Sequence, residues 1–70
     1  MNFLVIIEPT ATGFSAYAPD LDGCIATGAS REEVERRMRE AIAFDLDGMQ
    51  AEGMPLPVPQ SEAVYVELSP

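Results

Sequence analysis

Apolar and polar positions alternate with different periods along the chain, and those periods predict its elements. Residues 2–7 hold the run Phe3, Leu4, Val5, Ile6 and Ile7, apolar and rich in β-branched residues, and Glu8 and Pro9 close it as a strand closes. Phe3, Val5 and Ile7 fall on one face of that strand and Leu4 and Ile6 on the other, so neither face suits water. One face can pack on a helix, and the second calls for self-association or a bound partner. A turn-like stretch over residues 10–13 leads to a second strand at residues 14–18, paired with the first as a hairpin. Pro19, Asp20, Leu21, Asp22 and Gly23 then interrupt the pattern. Proline cannot donate to a ladder, and aspartate and glycine favour a tight loop held by side-chain to backbone hydrogen bonds. A short third strand is expected at residues 24–27.

The period then changes to that of a helix. Ser30 and Glu33 have the spacing of a capping box, in which the serine hydroxyl accepts from the Glu33 amide and Glu33 reaches back to the Ser30 amide. Val34, Met38, Ala41, Ile42, Leu46 and Met49 recur at three- and four-residue intervals and form one apolar stripe. Gly53 can supply the left-handed residue that ends a helix, and Pro55 blocks its continuation. Residues 54–59 alternate proline with apolar side chains and read as an extended connector. A fourth strand is expected at residues 63–68, with Val64, Val66 and Leu68 on one face and Tyr65 and Glu67 on the other. The order is β-β-β-α-β, which implies an α+β two-layer sandwich with one long helix packed on one face of a small sheet.

Length limits what this fold can do alone. Seventy residues make a single domain, and a core of that size supplies only about 3–5 kcal/mol of net stability. With Cys24 as the sole cysteine and no histidine, neither a disulfide nor a usual zinc site can help. Self-association is the remaining aid, so a homo-dimer or a dimer of dimers is expected. The apolar start is too short for a secretory core or a membrane span, and the lone cysteine suits a reducing compartment, so a soluble cytoplasmic protein is expected.

Charge narrows the partners. Twelve acidic residues against four basic ones give a formal charge of −8, which opposes binding to a phosphate backbone; direct nucleic-acid binding is not expected. All the basic residues, Arg31, Arg36, Arg37 and Arg39, fall in one stretch of the helix, and every other charged side chain is negative. That acidity serves solubility or complements a basic partner.

Candidate chemistry is sparse. Without histidine or lysine the commonest general base and the phosphate-binding amine are missing. Cys24 has nothing to activate it and reads as core, Ser30 reads as a helix cap, and the glycines match no phosphate-loop spacing. No catalytic residue and no cofactor is therefore assigned. Asp20, Asp22, Asp45 and Asp47 could gather hard oxygen ligands for a divalent metal, but Asp45 and Asp47, two apart on a helix, diverge. The Arg and Glu residues of the helix read as a solvated face with local ion pairs. Tyr17 and Tyr65 are better candidates for partner contact, because tyrosine offers a large rigid area with a polar tip, and Asp20 and Asp22 are candidates for steering a basic partner.

Phe14 to Cys24 with its Pro19, Asp20, Leu21, Gly23 and Cys24 turn, then Gly28, Ser30, Glu32 and Glu33, then Glu40, Ala41 and Ile42, and finally Gly53 with Pro55, Pro57 and Pro59, together resemble the HicB-like antitoxin domain. The resemblance covers nearly the whole chain. Asp22 departs from it, standing where the family usually has proline. The resemblance implies a partial ribonuclease H-like fold and a non-enzymatic role, namely neutralising a small basic HicA-type RNA-cleaving toxin by masking its active surface. Many members continue into a DNA-binding segment, and no such C-terminal domain is expected in residues 1–70. Two other readings stay open: an orphan homo-oligomeric domain with a different binding target, and a vestigial metal-dependent nuclease.

Overall fold

A computed structural model describes residues 1–70. Three antiparallel strands, β1 (Ile6–Pro9), β2 (Phe14–Tyr17) and β3 (Ile25–Gly28), form a sheet in the order β1-β2-β3, and one long helix, α1 (Arg31–Ala51), follows. This is the expected α+β arrangement of a sheet layer and a helix layer. Register sets the two faces of the sheet. Ile7 pairs with Ala16 and Ala16 with Ala26, and this row faces the helix; the adjacent row, Ile6, Tyr17 and Ile25, faces away.

The helix begins where the capping pattern placed it. Ser30 is the N-cap, and its hydroxyl accepts from the Glu33 N–H at 3.1 Å. The reciprocal half of the box is not made: the Glu33 carboxylate instead pairs with Arg37 at 2.9 Å, one turn along the helix. At the other end Gly53 takes φ +71, its N–H donates to the Gln50 carbonyl, and the Met54 N–H donates to the Met49 carbonyl. Those two bonds make a Schellman motif, which satisfies carbonyls the helix leaves open.

The core is small. Ala16, Ala18, Leu21, Cys24, Val34 and Met38 are buried, and Phe3, Val5, Ile7, Ala41, Ile42, Leu46 and Met49 pack against them. Phe3, Val5 and Ile7 are turned to the core as their alternation predicts, but the strand itself spans Ile6–Pro9 and not residues 2–7, because only that stretch finds its ladder partner in β2. Close approach of the layers depends on Gly28, where a Cβ atom would stand 2.8 Å from the Val34 backbone nitrogen. The helix lies chiefly over β3 and β2 and only lightly on β1. A groove is left between β1 and the helix, floored by Val5, Ile7, Met38 and Ile42.

The fourth strand is corrected by the structure: no strand forms over residues 63–68, and residues 61–70 are exposed throughout. The alternating pattern is present, but a strand also needs a ladder partner, and this segment has none within the chain. The result is a projecting arm. The radius of gyration is 14.0 Å, against about 11 Å expected for a compact chain of this length.

Candidate partner-binding surface

The surface is built by the loop between β2 and β3. Leu21 is buried in the core, and the Leu21 N–H donates to the Ala18 carbonyl while the Cys24 N–H donates to the Leu21 carbonyl. Pinning the middle of the loop inward puts the residues on either side of Leu21, Asp20 and Asp22, at its rim. Periodicity does not single out Leu21 as core, since it belongs to neither a strand nor a helix; its signal is a single apolar residue between two aspartates.

The loop springs from Tyr17 and returns at Ile25, which are cross-strand partners. On the sheet face away from the helix, Tyr17 is 42% exposed and Ile25 71% exposed, and half-buried Ile6 lies in register on the other side of Tyr17. An apolar row with a central tyrosine is therefore open to solvent beside an acidic loop. Leu4 and Ile6, the second face of the first apolar segment, have no helix over them. A partner with an apolar patch inside a basic rim fits this surface.

Asp20 has a structural task as well. Its carboxylate accepts from the Gln60 N–H at 3.1 Å, the Ser61 N–H at 3.0 Å and the Ser61 hydroxyl at 2.8 Å. These donors, the Ser61 backbone first and then its hydroxyl, outweigh desolvation and hold the Asp20 carboxyl below its ordinary range. The same bonds tether the arm, and with it Tyr65, to the loop. Tyr65 itself is fully exposed and touches nothing that would orient it. Tyr17, Asp20 and Asp22 thus share one end of the sheet, while Tyr65 is linked to that end only by the tether.

Cys24 is buried; burial pushes its thiol pKa up, and the nearby Asp45 carboxylate pushes it further the same way. No three histidine, cysteine, aspartate or glutamate side chains stand close enough to hold a metal ion. The helix face carries the expected local ion pairs, Glu33 with Arg37, Glu35 with Arg39 at 3.9 Å and Arg36 with Glu40 at 3.6 Å. Arg37 does more than that pair, donating across to the Thr27 carbonyl on β3 at 3.0 Å. No helix is long and apolar enough to cross a membrane.

Comparison with known proteins agrees with this architecture. Residues 3–68 match the family described as HicB-like antitoxin of bacterial toxin-antitoxin systems. A UPF0150 protein of Helicobacter pylori is 38% identical over 47 residues, which span 67% of this chain and 65% of that protein. A chain of the HicA3 and HicB3 toxin-antitoxin complex superposes with a TM-score of 0.71 at 33% identity, covering 86% of this chain and 70% of that one. The crystal structure of antitoxin HicB3 gives the same TM-score of 0.71 and 33% identity, and there this chain spans only 44% of its neighbour. With the order of its strands, its capped helix and the acidic loop all within the matched residues, the chain belongs to the HicB-like antitoxin family.

Proposed function

We propose that this chain is an antitoxin that binds a small basic HicA-type toxin and masks the surface with which the toxin cleaves RNA. One observation carries the reading: the sheet face away from the helix is uncovered, with Tyr17 between Ile6 and Ile25 and an acidic loop at its edge. A cationic RNA-binding face is the electrostatic complement of that loop and of the formal charge of −8. Such complementarity raises the encounter rate and discriminates among partners, while the tyrosine and its neighbours supply the desolvated area that holds them. The pairing of HicA3 with HicB3 in the similar structure supports the same partner class.

In this reading the protein acts by occupancy and not by catalysis, in the cytoplasm, as a homo-dimer or dimer of dimers, and without binding nucleic acid itself. Co-expression with a small basic HicA-type toxin tests the assignment. A stoichiometric complex that survives purification, and that Tyr17→Ala weakens at least tenfold with an unchanged melting temperature, supports it. Failure of the two proteins to associate in low salt overturns it.

A further inference from the structure

The arm beyond Ser61 has the side-chain pattern of a strand, an anchor at its root and no neighbour along its length. Val64, Val66 and Leu68 are 83%, 72% and 81% exposed, large apolar side chains at alternate positions with nothing against them. The body of the same molecule has the opposite deficiency. β1 is an edge strand whose outer backbone groups are unpaired, and the groove beside it is under-covered by the helix. A free strand and a free edge in one chain can satisfy each other between two chains.

We propose that two copies of this chain exchange arms, residues 63–68 of each adding as a strand to the outer edge of β1 of the other. Because every copy carries both the arm and the edge, the exchange closes with two-fold symmetry and leaves neither in excess. Val64, Val66 and Leu68 then lie beside Phe3, Val5 and Ile7 and close the open side of the groove.

The other edge of the sheet, β3, is a poorer host for two reasons on the molecule. The Arg37 guanidinium already occupies the Thr27 carbonyl, which blocks an acceptor that an added strand needs. The groove on that side also carries Glu40 and Asp45 against one cation, Arg37, which Glu33 and Thr27 already engage, whereas the arm is itself acidic, with Glu62 and Glu67. The β1 groove has Arg31, Glu35 and Arg39 on its wall; Glu35 pairs with Arg39, and Arg31 makes no ion pair within the chain, which leaves this wall net positive. An acidic chain that must associate with its own copy meets least repulsion where the arm lands next to its few cations. The inference does not depend on the toxin reading, since no toxin takes part.

Sedimentation equilibrium at micromolar concentration and isotope-filtered NOE spectra of a mixed labelled sample test it together. The expected result is an assembly with an even number of copies, with contacts from residues 64–68 of one copy to residues 3–8 of the other. The double variant Val64→Glu with Val66→Glu alters only side chains that face solvent in the single chain. It should be a monomer at the same concentration, with the wild-type helical circular dichroism. A monomeric wild-type protein, an unchanged assembly in the double variant, or arm contacts to residues 25–28 or to its own β1 would each overturn the exchange.

Discussion

Ser61 donates twice to Asp20, from its backbone N–H to one carboxylate oxygen at 3.0 Å and from its hydroxyl to the other at 2.8 Å. This two-point anchor joins the acidic loop to the root of the arm across 41 positions of sequence. Both donors prefer the charged carboxylate, so the Asp20 pKa is lowered on folding. A lowered carboxyl stabilises the anchored form above its unfolded pKa, and that contribution is lost as pH falls through the lowered value. Amide exchange at Gln60 and Ser61 should therefore be slow near neutrality and rise, beyond the intrinsic trend, once the medium is acidified past the ordinary carboxylate range. Asp20→Ala should show the fast exchange at every pH while leaving the helix amides protected.

That anchor changes how the acidic loop can be probed. Asparagine at position 20 would remove acceptor capacity as well as charge, so it does not isolate electrostatics. Asp22 is exposed and makes no hydrogen bond within the chain. Asp22→Asn should slow association with the toxin at low salt, leave dissociation nearly unchanged, and lose its effect as screening shortens to about 8 Å at physiological ionic strength. Stopped-flow binding at two salt concentrations reads this directly; a salt-independent rate change would point to contact in place of steering.

The helix start offers a test of stability without function. Ser30→Ala removes the acceptor for the Glu33 N–H and should destabilise the fold by about 1 kcal/mol. Because Ser30 lies away from Tyr17 and the acidic loop, toxin affinity of the folded fraction should not change. Urea denaturation beside a binding titration separates the two quantities.

Contact between the layers is tested at Gly28. A Cβ there would stand 2.8 Å from the Val34 nitrogen and 3.1 Å from its Cα, both backbone atoms of a fully buried residue that cannot rotate away. Gly28→Ala should therefore push the helix from β3 and cost about 1–3 kcal/mol, as over-packed positions do. Loss of that order leaves little net stability in a domain this small, so the variant's melting temperature should fall well below that of Ser30→Ala.

The helix was legible in the sequence because its signals are local. Ser30, the stripe from Val34 to Met49 and Gly53 each state their role within a few residues, and all of them hold in the structure. The capping box forms only by half: Arg37, one turn away, competes for the Glu33 carboxylate and wins over the Ser30 amide. The sheet was legible as side-chain alternation, which shows the faces of a strand but not where its backbone finds a partner. That is why residues 63–68 carry a strand's pattern and no ladder. Of the candidate site, Tyr17 and the two aspartates could be proposed by residue type. The hydrogen bonds from Gln60 and Ser61 to Asp20 could not, since nothing local to either segment encodes a meeting of residues so far apart. Nor could the offset of the helix from β1, which follows from three-dimensional packing.

The most direct test of the account is RNA cleavage by a purified HicA-type toxin, measured with increasing amounts of the wild-type chain and of Tyr17→Ala. Masking of the toxin predicts that cleavage falls to background near stoichiometric addition of wild type, and that the variant requires at least tenfold more, a difference of about 1.4 kcal/mol in binding. Undiminished cleavage in the presence of excess folded wild-type protein would contradict it.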